Sequence, residues 1–130
     1  MSIIIGNWKM YKTRHQAVEF IKALIPMVAS SPNEVWLAVP FTAIQACVEA
    51  SGKAIKIGAQ TMNEASEGAF TGEIAGSMLK EAGAEFVLLG HSERRRVFQE
   101  TDAMIAAKVQ KAIEVGVIPV LCSIQGSPAY

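Results

Sequence analysis

The sequence carries no surplus of charge: twelve Lys and Arg balance twelve Asp and Glu. That balance gives no reason to expect a nucleic-acid or membrane-surface partner. Cysteine is scarce. Cys47 and Cys122 lie far apart and match no metal-ligand spacing, which excludes a disulfide framework and leaves two reduced thiols of a cytoplasmic protein. No apolar run approaches the roughly 20 residues of a membrane span. The opening Met1-Ser2-Ile3-Ile4-Ile5 lacks the basic and long apolar regions of a signal peptide. Phosphate-loop, dinucleotide, nucleophile-elbow and H-E-x-x-H motifs are missing as well, which argues against nucleotide binding, a catalytic serine elbow and a zinc protease.

What is present is a globular composition, 51% hydrophobic and 18% charged over 130 residues, enough for one domain with a core. Five short runs are apolar on consecutive residues: Ile3–Asn7, Val35–Val39, Ile55–Ala59, Phe86–Gly90 and Val117–Cys122. That pattern belongs to strands covered on both faces, as in parallel sheets. Helical signals separate them. Thr13 and Gln16 form a capping box before the face Ala17, Phe20, Ile21, Leu24, Ile25 and Val28. Thr42 and Gln45 repeat the box before a helix reaching about Ala50, with Gly52 beyond it. A third helix is expected over Ile74–Ala82, stopped by Gly83. A fourth starts at Thr101, buries Ile105, Val109, Ala112 and Ile113, exposes Lys108 and Lys111, and stops at Gly116. The strands recur about every 30 residues, the size of a βαβ unit. Periodicity leaves a barrel and a doubly wound open sheet equally open.

Two strand ends are chemically unusual. Gly6-Asn7-Trp8-Lys9-Met10 puts an amide and a cation at the C-terminal edge of the sheet, suited to an anionic, oxygen-rich ligand or to a solvated turn. Gly90-His91-Ser92-Glu93 brings an imidazole out at the end of the fourth strand. If Ser92 caps the helix that follows, its positive end disfavours a protonated His91, and a neutral imidazole can still donate to a carbonyl oxygen. Glu93 is the carboxylate beside it. Arg94-Arg95-Arg96 are expected to pair with Glu100, Asp102 or another subunit, mostly facing away from the strand ends. His15 belongs on a helix surface.

Taken in order, Gly6-Asn7-Trp8-Lys9-Met10, Gly58-Ala59-Gln60, Gly68-Ala69-Phe70-Thr71-Gly72-Glu73 and Gly90-His91-Ser92-Glu93-Arg94-Arg95 resemble triosephosphate isomerase from about Ile3 to Cys122. The resemblance implies an α/β fold: half of a parallel TIM barrel, about five strands and four helices, not closed on its own. It implies isomerisation of dihydroxyacetone phosphate to glyceraldehyde 3-phosphate, a step of glycolysis and gluconeogenesis, with no cofactor and no metal. Asn7 and Lys9 then bind substrate, His91 is the electrophile, and Lys9 and Glu93 act beside it. Cys122 matches a mainly structural cysteine. Thr71 and Gln60 match a dimer interface, where Gln60 also helps hold the strand-one loop, so the implied partners are a small phosphorylated triose and a second copy or a complementing C-terminal half.

A full barrel needs about 250 residues and eight strands. The resemblance places the catalytic glutamate, the lid and the phosphate-holding loops in a second half. Residues 1–122 are therefore expected to be a partial barrel and 123–130 a divergent tail, the product of truncation, a frameshifted or alternative tail, or an engineered stop. Such a half-barrel is expected to bare its barrel-facing side chains to water and to be inactive by itself. The alternatives are an assembly or fragment-complementation module and a phosphate binder that is not an isomerase.

Overall fold

The computed structural model describes residues 1–123. Its strands are β1 (Ile3–Asn7), β2 (Glu34–Val39), β3 (Lys56–Ala59), β4 (Phe86–Leu89) and β5 (Ile118–Leu121). They form one parallel sheet in the order β1-β2-β3-β4-β5, so each strand lies beside its predecessor. That single direction of winding resolves the ambiguity left by periodicity. A doubly wound sheet would reverse its strand order at a switch point, whereas this one curls as half a barrel. Residues 124–130, most of the expected tail, lie outside the described residues.

The helices are α1 (Arg14–Val28), α2 (Ile44–Ser51), α3 (Gly76–Ala82), α4 (Ser92–Arg96) and α5 (Asp102–Val115). The Thr13–Gln16 box is formed in both directions, with Thr13 N–H donating to Gln16 Oε1 at 2.9 Å. Gly83 and Gly116 close α3 and α5 in the left-handed conformation. Thr101 caps α5 by accepting from Met104 N–H.

Four expectations need correction. Thr42 does not cap α2; the chain enters through a 3-10 turn at Phe41–Ala43 and Ala43 is the cap, with no side-chain bond. Among the described residues the expected four helices are five, because Ser92–Arg96 forms a short helix of its own. On α5, Lys108 is buried and Ile113 is 61% exposed. The buried stripe runs Ile105, Lys108, Ala112, at steps of three and four, and Ile113 lies about 100° round from it. Lys108 tolerates burial because its Nζ lies 2.8 Å from Glu100 Oε2, itself 3.1 Å from Arg94 Nε.

The fourth concerns the concave face. The main core lies between sheet and helices, around Ile21, Leu37, Ile57, Leu79, Val87 and Ile105. A second cluster of Trp36, Ala38, Phe86 and Leu88 occupies the concave face, with Ile5, Val120 and Cys122 against it. These four side chains are buried, not bared to water. Gly58 makes this possible, since Phe86 folds down into the space a side chain would fill, and Trp36 leans on Phe86 at 5.0 Å between ring centres. Ile3 and Ile118, at the ends of this face, are exposed, and Ile5, Val120 and Cys122 are half-buried. Among the described residues β1 and β5 are the sheet's edges.

Candidate functional site

The C-terminal ends of β1, β3 and β4 converge on a cleft of about 250 Å³ lined by Asn7, Lys9, Gln60, His91, Glu93 and Arg94, with Met10, Phe41 and Phe98 at its apolar rim. Such strand ends are where α/β folds collect their chemistry, because the loops there are free to vary over a fixed sheet.

Lys9 is held in a conformation that costs energy. Its φ is +54°, left-handed for a residue with a Cβ. Asn7 Oδ1 accepts from Lys9 N–H at 2.9 Å, and Gln60 Nε2 donates to Lys9 O at 2.8 Å. The same Gln60 nitrogen reaches Asn7 Oδ1 at 3.3 Å and Ala38 O at 3.4 Å. One amide from β3's end thus ties the β1 loop to β2. Further along, Lys12 Nζ lies 4.8 Å from the Phe20 ring and 5.5 Å from the Trp8 ring, a cation–π contact that pins the loop to α1.

The result is that Lys9 Nζ meets Glu93 Oε1 at 2.7 Å. The hydrogen bond from Lys9 holds the Glu93 carboxyl below its ordinary value, against the opposing effect of burial. A carboxylate held ionised by a lysine is a poor proton acceptor.

His91, not Ser92, is the cap of α4: its Nδ1 accepts from Glu93 N–H at 3.1 Å. With Nδ1 engaged as an acceptor, the ring proton belongs on Nε2. Glu93 Oε1 stands 3.9 Å from Nδ1, beyond hydrogen-bond reach. The imidazole is thereby presented with its Nε2–H free to donate.

The arginine run divides. Arg94 and Arg95 pair as expected, with Glu100 at 3.1 Å and Asp102 at 2.6 Å. They do not turn away from the strand ends, however: Arg94 lines the cleft and Arg95 Nε donates to Gly90 O at 2.7 Å. Arg96 and His15 are exposed.

Thr71 stands apart from the cleft, exposed on a projecting segment. Asn63 closes the base of that segment, its N–H donating to Ile74 O at 2.8 Å and its Nδ2 to Glu73 Oε1 at 2.9 Å. Lys111 Nζ braces it through Ser66 Oγ at 3.0 Å. Gln60 sits inside the cleft. Sequence reasoning overlooked Thr61, Phe41 and Phe98 at the cleft, and the buried Lys108 that joins the expected Arg94–Glu100 pair. Glu100 lies ahead of the Thr101 cap and outside α5, so helical spacing does not announce its pairing with Lys108. Burial works against the Glu100 charge, but the bonds and charges of Lys108 and Arg94 prevail and hold its carboxyl below the ordinary value. Among the described residues no group of three or more His, Cys, Asp or Glu could hold a metal ion, and no helix is long and apolar enough to cross a membrane.

Residues 2–126 match the family model described as triosephosphate isomerase. The chain is 62% identical over 121 residues to the triosephosphate isomerase of Protochlamydia amoebophila, covering 92% of this chain and 46% of that protein. It is 48% identical to the enzyme of the same name from Acetivibrio thermocellus, covering 92% of the chain and 48% of the relative. The crystal structure of triosephosphate isomerase from Bartonella henselae superimposes with a TM-score of 0.85 at 38% identity, over 93% of this chain and 50% of that one. The chain thus spans about half the length of the curated relatives it matches.

Proposed function

The chain belongs to the triosephosphate isomerase family, and on that premise we propose that its cleft is the substrate-binding and carbonyl-polarising half of an aldose–ketose isomerase site. The substrate class is a small phosphorylated triose, and no cofactor is needed. The observation that carries this reading is one arrangement: a strained Lys9 paired with Glu93 beside a His91 whose Nδ1 is taken by backbone.

Converting dihydroxyacetone phosphate to glyceraldehyde 3-phosphate requires removing a proton from the carbon next to a carbonyl. The enediolate that forms carries negative charge on oxygen. His91 Nε2–H donates to the carbonyl oxygens, and Lys9 supplies a cation where that charge and the phosphate lie. A neutral histidine in this role is the accepted picture of triosephosphate isomerase itself and is not peculiar to this chain. Glu93 orients Lys9 and is too well paired to serve as the base. On this reading the base lies in the second half that the relatives have, so residues 1–130 alone bind and polarise without turning over. Loss of a general base costs about 10²–10⁴-fold, before lost phosphate contacts are counted. The cytoplasm, as the place of that reaction, is part of this proposal, as are a homodimer through Thr71 and Gln60 and completion by a C-terminal half.

A titration with 2-phosphoglycolate, followed by NMR, tests the reading. Shifts confined to Asn7, Lys9, His91 and their neighbours support it, and a Lys9→Met chain should lose them. A ligand that perturbs no cleft residue would sink it.

A second reading is favoured by the buried concave cluster of Trp36 and Phe86. A half-barrel that covers its own inner face can hold its fold without catalysis, and its open β1 and β5 edges, among the described residues, suit an assembly or complementation module. A defined mass above the monomer, with no ligand response, would favour this second reading.

A further inference from the structure

We propose that Arg95 is the positioning residue of His91, acting by extending the β4–β5 ladder one step past its last backbone bond. The proposal rests on His91 being the electrophile of the site.

The ladder between these strands ends where Cys122 N–H donates to Leu89 O at 2.8 Å. The next carbonyls, Gly90 O and Cys122 O, lie side by side at the sheet's C-terminal edge. Arg95 bonds both, with Nε donating to Gly90 O at 2.7 Å and Nη2 to Cys122 O at 3.4 Å. Nη1 turns the other way to Asp102 Oδ1 at 2.6 Å. Arg95 follows His91 by one helical turn, and helical side chains lean toward the N-terminus, so its guanidinium returns to the strand that α4 leaves.

Gly90 O belongs to the peptide that joins Gly90 to His91. Fixing that carbonyl fixes the plane from which the imidazole starts. The local backbone is built around the contact: Gly90 has φ +75°, and a Cβ there would stand 2.8 Å from Arg95 Nη2 and 3.2 Å from Cys122 O. A planar fork meets two neighbouring carbonyls at once in one fixed geometry, which the flexible ammonium of lysine does not impose. The role also gives the end of β5 a part in the site, through a backbone carbonyl and not through the Cys122 thiol.

Amide exchange with solvent, measured by NMR on the whole chain, tests this. The Glu93 N–H takes His91 Nδ1 as its acceptor, so its exchange reports the seat of the imidazole. The Val97 N–H bonds Glu93 O and reports α4 itself. In Arg95→Lys, Glu93 should exchange about tenfold faster while Val97 is unchanged. Asp102→Asn, which removes only the exposed ion pair, should leave both as they are. An unchanged Glu93 in Arg95→Lys would overturn the proposal, and so would Glu93 and Val97 accelerating together, which makes Arg95 a general prop of the helix. Should Arg95→Lys not fold, the unaltered chain still decides. Its Arg95 Nε–H should exchange as slowly as the amides of β4, and exchange as fast as a free guanidinium contradicts the proposal. A wild-type cleft that ignores 2-phosphoglycolate defeats the isomerase reading and leaves this exchange pattern standing.

Discussion

Phe86 occupies the place of a missing side chain on Gly58: a Cβ built there would stand 2.5 Å from three atoms of the ring. The two residues face each other across β3 and β4 in register. Their contact lets the concave face bury Trp36, Ala38 and Leu88 without an opposing layer.

Gly58→Ala should therefore destabilise the chain by about 1–3 kcal/mol, the usual cost of forcing extra volume into packed surroundings. Thermal unfolding would show a melting temperature several degrees lower. An unchanged value would mean that Phe86 moves aside freely and that the cluster does little for stability.

Glu100 sets a pH dependence. Its carboxyl lies below the ordinary 4.5 in the folded chain, despite burial, through Lys108 and Arg94. A depressed carboxylate contributes stability that is present above the unfolded value and is lost as pH falls through the folded one. Urea unfolding should thus weaken below about pH 4.5. Glu100→Gln should flatten that limb and lower stability at pH 7. Lys108→Met leaves the buried Glu100 carboxylate to Arg94 alone, at a cost of up to about 3–5 kcal/mol. If Lys108→Met melts like the wild type, the buried group is not what its geometry indicates.

Lys9 sets stability against binding. At φ +54° a glycine relieves a left-handed strain worth about 1–2 kcal/mol. Lys9→Gly should be as stable as the wild type or more so, yet lose its response to 2-phosphoglycolate. A destabilised Lys9→Gly would show that the Glu93 pair outweighs the strain.

The thiols should react in order. Burial pushes Cys47 up to about 11, and its side chain is enclosed between helix and sheet. Cys122 is also raised by burial, but it is partly accessible. A thiol reagent near pH 8 should modify Cys122 first and Cys47 only on unfolding. Equal rates in the native chain would contradict the packing around α2.

Much of the fold was legible because the signals were local. Ile3–Asn7 is a strand to the residue, since an apolar run between polar flanks has few alternatives, and Thr13, Gly83 and Gly116 mark their helix ends by chemistry that acts within four residues. The failures were non-local. Lys108 reads as a surface residue until Glu100 is brought under it. Thr42 and Gln45 have the spacing of a box, but Pro40 leads into a 3-10 turn that moves the helix start. Asn7, Lys9, His91 and Glu93 were legible as strand-end residues. The resemblance set Glu93 near Lys9 and Gln60 against the strand-one loop, as the geometry has them; the part of Arg95 was not legible, because it acts through backbone carbonyls, which no residue type announces.

The central proposal is that the cleft binds a triose phosphate and polarises its carbonyl, and that residues 1–130 by themselves do not deprotonate it. An isomerase assay on the purified 130-residue chain, with the solution mass of the same sample, tests it most directly. The account predicts no turnover above background while 2-phosphoglycolate still shifts Lys9 and His91. Turnover near ordinary enzyme rates by a pure sample would contradict it, because Glu93 or a partner copy would then be supplying the base.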